Sequence, residues 1–273
     1  MATSSGSDIF VAKLAAAGSA KVYSTYLGGV RSESGTGIAV DENGNTYLTG
    51  FTSSLDFPMA NAFQPTKDDL FSNDAFVTKI NPAGSALVYS TYLGGEATDE
   101  GRNIVVKGES AYIVGLTNSI DFPVSNPYRL PPNTFINDAF ITKLNASGSA
   151  LDFSTCLGGS GSDQRNGIAV AADGAVFVTG FTSSLDFPTV TALQATLSGS
   201  SDAFITKLNS AGNALLYSTY LGGTSSDEGH SVVADDFGGA YVTGVTRSAN
   251  FPLADAFQST VRGSDGFVVA FRV

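Results

Sequence analysis

The chain has 273 residues, 42% apolar and only 14% charged, with 31 glycines and a net charge of −11. That is enough apolar content for a packed core and too little charge for a disordered chain. The 14 Lys and Arg are scattered, so no basic footprint marks a nucleic-acid or anionic-membrane surface, and cations or neutral ligands suit the field better.

From the N-terminus, MATSSGSD lacks the basic and apolar regions of a signal peptide. Residues 1–7 are expected to be a disordered segment, either a cytosolic N-terminus or, the favoured reading, the start left once a leader has been removed. FVAKL at Phe10 then reads as a strand by its alternating faces, and YSTYLGG at Tyr23 as a second. GIAV at Gly37 is short and apolar. The turn DENGN (Asp41 to Asn45) leads from it to YLTGFTSSLDFP at Tyr47. FVTKI follows at Phe76, and NPAGSA (Asn81 to Ala86) turns the chain into YSTYLGG at Tyr89.

The same four strings then recur in step. FITKL begins at Phe140 and Phe204, with a degenerate FVVAF at Phe267. FSTCLGG begins at Phe153 and YSTYLGG at Tyr217. GIAV-like strings begin at Asn103, Gly167 and Ser231, and partners of YLTG at Tyr112, Phe177 and Tyr241. The paired glycines Gly28–Gly29, Gly94–Gly95, Gly158–Gly159 and Gly222–Gly223 end the last strand and let the chain swing away.

Four short strands per unit of roughly 64 residues predict an all-β chain, a β-propeller of four four-stranded blades. One domain spans 8–273, with repeats beginning near 8, 74, 138 and 202 and a partial repeat at 265–273. GIAV is placed innermost, then YVTG, FVTKL and, outermost, YSTYLGG. The ring is expected to close by pairing of the N- and C-terminal strands. The third strand then occurs twice, near Phe10 and near Phe267. The surplus edge strand is a route to a homo-oligomer.

The strings YSTYLGG, GIAVD, YLTGFTSSLDFP and DAFVTKL resemble the SBBP repeat of bacterial β-propellers, over nearly the whole chain from Asp8. The resemblance implies a propeller fold and a bacterial protein outside the cytoplasm, secreted or at the cell surface. It implies no catalytic residues. Cys156 departs from it where other copies have tyrosine, as does Ala270 where they have lysine.

Where the copies differ at one radial position, function has room to enter. Just before each innermost strand stand Thr36, Arg102, Asn166 and His230. Ahead of them come Glu33, Asp99, Asp163 and Asp227, then Ser34, Glu100, Gln164 and Glu228. In a propeller these ring one mouth of the central channel, as a candidate ligand site, against the plain reading of a solvated rim. Calcium is the cation such ligands suit, yet no segment carries the full calcium-loop pattern. The third-strand lysines Lys13, Lys79, Lys143 and Lys207 read as stems on apolar surface with their ammonium groups in water.

With one histidine and one cysteine, nucleophilic and zinc sites lack support. No stretch of about 18 apolar residues is present to span a membrane. The favoured function is a non-catalytic module binding a small molecule, carbohydrate or protein. The alternatives are a structural or oligomerisation element, and a glycan-acting hydrolase or lyase using the acidic ring.

Overall fold

The computed structural model describes residues 6–67 and 70–271, which form seventeen strands and no helix. β1 (Ile9–Leu14) and β2 (Lys21–Leu27) make a two-stranded antiparallel sheet. β3 (Glu33–Val40), β4 (Thr46–Thr52), β5 (Asp74–Ile80) and β6 (Leu87–Leu93) make the first full sheet, in sequence order. β7 (Asp99–Lys107), β8 (Ser110–Thr117), β9 (Asp138–Leu144) and β10 (Leu151–Leu157) repeat that meander. So do β11 (Asp163–Val170), β12 (Val176–Thr182), β13 (Asp202–Leu208) and β14 (Leu215–Leu221). β15 (Asp227–Ala234), β16 (Ala240–Thr246) and β17 (Asp265–Phe271) end the described chain as a three-stranded sheet.

The strand order within each sheet is the one expected, from GIAV to YSTYLGG. The tight turns are as read. Asp41 accepts the amides of Asn43 and Asn45, and Gly44 takes φ +81°, where a side chain on the α-carbon would be strained.

The expected closure differs. β1 pairs with β2, and β17 pairs with β16, while the terminal strands do not pair with each other. Three sheets are four-stranded, and the other two hold two and three strands. The physical reason is the duplicated third strand. β1 meets β2 through a short turn closed by Ala15 N–H to the Ala20 carbonyl, a local contact with little loop entropy to overcome. β17 occupies the same place beside β16. Each copy of the third strand is thus taken up by its own sequence neighbour.

Nor are residues 6 and 7 loose. Ser7 accepts the Glu33 amide at 2.7 Å and donates to the Glu33 carbonyl, so the ordered repeat starts before Asp8. Asn73, Asn137 and Ser201 accept the amides of Asp99, Asp163 and Asp227 in the same way. Residues 1–5 lie outside the described residues.

The sheets stack face to face, and each joint holds one apolar cluster. Ile9, Val11 and Leu27 meet Leu48, Phe76 and Tyr92. Tyr47, Val77 and Leu93 meet Ile104, Phe140 and Cys156. Tyr112, Ile141 and Leu157 meet Ile168, Phe204 and Tyr220. Phe177, Ile205 and Leu221 meet Val232, Val242 and Phe267. Both faces of the full sheets are therefore core, which is why their strands read as near-continuous apolar runs. The DFP phenylalanines Phe57, Phe122, Phe187 and Phe251 each lie against the third-strand phenylalanine of their own sheet, with centroids 4.6–4.8 Å apart.

Candidate functional site

The four variable residues share one backbone feature. In each innermost strand the register with its neighbour slips by one residue, and the residue skipped is Thr36, Arg102, Asn166 or His230. Each is the extra residue of a β-bulge. A bulge leaves one residue outside the ladder and re-aims its side chain. The sequence spacing is the same with or without the slip, so the bulge itself was not readable there.

The four side chains divide in two ways. Thr36 donates to the Gly101 carbonyl of the next sheet at 2.6 Å, and Asn166 donates to the Gly229 carbonyl of its own next sheet at 2.9 Å. These two tie neighbouring inner strands together. Arg102 and His230 remain exposed and reach back along their own strands. The Arg102 guanidinium lies 2.6 Å from the Glu100 carboxylate. His230 Nε2 lies 3.6 Å from Glu228, which also meets Arg247 at 3.4 Å. Two pairs of an exposed nitrogen-bearing side chain with a carboxylate, Arg102–Glu100 and His230–Glu228, thus occupy the same position two repeats apart.

The preceding acids are placed differently. Asp99, Asp163 and Asp227 are fully buried, and Glu33 nearly so. Each sits in a corner behind the inner strand. Asp99 accepts from Gly95 N–H and the Ser119 hydroxyl, at 2.8 and 2.7 Å. Asp163 takes the equivalent pair from Gly159 and Ser184, and Asp227 from Gly223 and Ser248. Glu33 accepts from Gly29 and Thr52. These carboxylates hold the loop after the glycine pair and do not face the rim. Burial pushes the Asp99 carboxyl up to about 7; bonds from Gly95 and Ser119 oppose the rise, and the neighbouring Asp74 charge adds to it.

The same corners explain the glycine pairs. None of the four pairs takes a positive φ. They are needed for space, since a Cβ on Gly94 would lie 2.7 Å from Asp74 Cγ and 2.9 Å from Asp99 Oδ2. Close packing, and not the conformational swing expected from the sequence, is what requires glycine here. The DFP aspartates lie opposite: Asp56, Asp121, Asp186 and, in the last copy, Asn250 accept the amides of Val30, Glu96, Ser160 and Thr224.

Among the described residues, no three His, Cys, Asp or Glu side chains group so that they could hold a metal ion. Ser34 and Gln164 are half-buried beside the bulges. Among the described residues no helix is long and apolar enough to cross a membrane.

Antiparallel meanders, three of them four-stranded, stacked face to face and repeated in sequence, are the arrangement of propeller-like β repeats. The family model for SBBP, a beta-propeller repeat, matches residues 22–58 and 216–252, and the chain carries SBBP repeats at those two segments. No curated protein matches the sequence. Similar solved structures include a gluconolactonase, XC5397 from Xanthomonas campestris, at 11% identity and TM-score 0.39, covering 83% of this chain and 59% of that one. The phage phi92 endosialidase is 12% identical with TM-score 0.47, over 88% of this chain and 36% of its own. BamB from Moraxella catarrhalis is 11% identical with TM-score 0.31, over 97% and 79%. The chain thus spans 59% and 36% of the lengths of the first two.

Proposed function

We propose that the chain is a non-catalytic binding module whose ligand meets the bulged residues of the inner strands. The observation that carries this reading is that the four copies share one backbone geometry at Thr36, Arg102, Asn166 and His230 and differ there in side-chain chemistry. A scaffold position that alters no ladder bond is where recognition can vary at little cost to the fold. Arg102 with Glu100, and His230 with Glu228, offer donors and acceptors side by side. That mixture suits a neutral polar ligand such as a carbohydrate better than a bare ion. Glu33, Asp99, Asp163 and Asp227 serve this reading as supports of the rim. The setting it fits is a bacterial cell surface or secreted protein.

The test is the melting temperature of the protein against a panel of mono- and oligosaccharides, with calcium and a chelator alongside. A ligand that binds only the folded state raises it by linkage. The expected result is a sugar-dependent rise that disappears in the Arg102→Ala/His230→Ala double variant. Both side chains are exposed, so the free variant should melt close to the parent. No rise with any sugar, or a rise that survives the double substitution, overturns the assignment.

A further inference from the structure

The stack ends in two apolar faces that are not alike. At the β1–β2 end, Phe10 is 74% exposed and Tyr26 80%. Their counterparts by repeat position are Phe76, Phe140 and Phe204, and Tyr92, Cys156 and Tyr220, all at 0%. At the β15–β17 end, Val268 is 76% exposed and Tyr241 38%. The counterparts of Val268 are Val77, Ile141 and Ile205, again at 0%. Those of Tyr241, namely Tyr47, Tyr112 and Phe177, are buried too.

These four positions already meet inside the molecule. Tyr47 and Val77 on the trailing face of the first full sheet share a cluster with Phe140 and Cys156 on the leading face of the second. Tyr112 and Ile141 share the next with Phe204 and Tyr220. The trailing face of the C-terminal sheet, with Tyr241 and Val268, is thus one half of a joint. The leading face of β1–β2, with Phe10 and Tyr26, is the other half. On β1 and β2 the opposite face is already spent, because Ile9, Val11 and Leu27 pack on the first full sheet.

We propose that the two end faces dock on each other between copies, so that the chain associates head to tail with a second copy of itself. The internal joints supply the template: Tyr241 and Val268 of one copy take the places of Tyr112 and Ile141, and Phe10 and Tyr26 of the next take those of Phe204 and Tyr220. No strand has to leave its ladder. The contact is heterologous, with different surfaces on the two partners, so it propagates until the turn per copy closes a ring. Leu14 and Val22, exposed near the same end, lie at its margin. This inference goes beyond the ligand reading and does not depend on it.

The experiment is light scattering on the full chain across a wide concentration range, with two surface variants. Phe10→Asp/Tyr26→Asp disables the leading face, and Val268→Asp the trailing face. All three residues point away from the packed side of their sheets, and unchanged melting temperatures verify that the fold survives. The parent is expected to rise in mean mass with concentration from the 28.0 kDa of one chain. Each variant alone should stay at one chain. An equimolar mixture should form a two-chain species and grow no further, since only one joint remains intact. A parent that keeps the mass of one chain at every concentration overturns the proposal, as it would if the chain's own ends met. Association that survives in either variant alone, or a mixture that stays at one chain, overturns it equally.

Discussion

Tyr89 and Tyr92 lie three residues apart on β6, both fully buried, and only Tyr92 has a partner for its hydroxyl. Tyr92 donates to the Ser54 carbonyl at 2.8 Å and accepts the Phe57 amide at 3.2 Å. Tyr220 repeats this between Ser184 and Phe187. Where Cys156 replaces the tyrosine, the Phe122 amide turns directly to the Ser119 carbonyl at 3.4 Å. The two tyrosines should therefore respond oppositely to loss of the hydroxyl. Tyr92→Phe is expected to lower stability by about 1 kcal/mol, the direct bond limiting the loss. Tyr89→Phe removes a buried hydroxyl without a partner, at a place where Phe153 serves in the next repeat, and is expected to raise stability by up to about 1 kcal/mol. Urea melts of both variants measure the signs.

Gly94→Ala should be among the most damaging of small substitutions. The added methyl would press on two buried carboxylates, Asp74 and Asp99, that cannot move without losing their partners. A loss of about 2–4 kcal/mol is expected from overpacking and a broken buried network. Gly108→Ala is the control. It meets no atom within 4 Å and bears only the strain of φ +60°, about 1–2 kcal/mol. Equal losses in the two would show that the corner has slack.

The buried acids set a pH dependence. The Asp99 carboxyl titrates at about 7 in the fold against an ordinary 3.8, so between those values the native protein holds a proton that the unfolded chain has released. Its contribution is complete below the ordinary value and is lost as pH rises through 7. Burial moves Asp202 in the same direction. Asp41, held low against its burial by Asn45 and Tyr47, and Asp186, held low by Ser160, act only when pH falls below the ordinary carboxylate range. The melting temperature should thus decline from pH 5 to pH 8. Asp99→Asn, which keeps an acceptor for Gly95 and Ser119 without the charge, should flatten that decline. An unchanged slope would remove Asp99 as its source.

Lys79, Lys143 and Lys207 stand over Tyr47, Tyr112 and Phe177, with ammonium-to-centroid distances of 5.0, 5.5 and 4.9 Å. Each pair is directly cross-strand. In the C-terminal sheet the register sets Tyr241 opposite Ala270. Ala270→Lys is expected to restore the pair and add about 0.5–1 kcal/mol, the range for an exposed cation over a ring. Thermal melts at low and high salt measure it, and a gain that salt does not alter would point to the alkyl stem instead.

The strands and their order could be read from the sequence because each string alternates apolar residues and ends in a turn with its own signature. The ring could not. Asp8 to Leu14 and Asp265 to Phe271 are the same kind of strand, and which of two equal strings fills a place depends on loop entropy and neighbours. Side-chain direction was equally hidden. Asp99 and Glu100 are adjacent acids, yet Asp99 turns into a corner while Glu100 turns to the rim. Alternation predicts surface stems with wet ammonium groups for Lys79 and Lys207, yet both are buried. Alternation puts a residue on one face of a strand; it does not say whether another sheet covers that face. Thr36, Arg102, Asn166 and His230 were singled out by their variability alone, and the bulge that gives them a common geometry leaves no trace in spacing.

Each sheet in this stack rests mainly on the sheets beside it, and no strand ladder runs from the first to the last. Such a chain has no single keystone. Loss of one joint leaves the joints beyond it intact, so unfolding should fray inward from whichever end is less covered rather than collapse at once. Pulled by its ends, the protein should lengthen in a staircase, one step for each sheet that lets go.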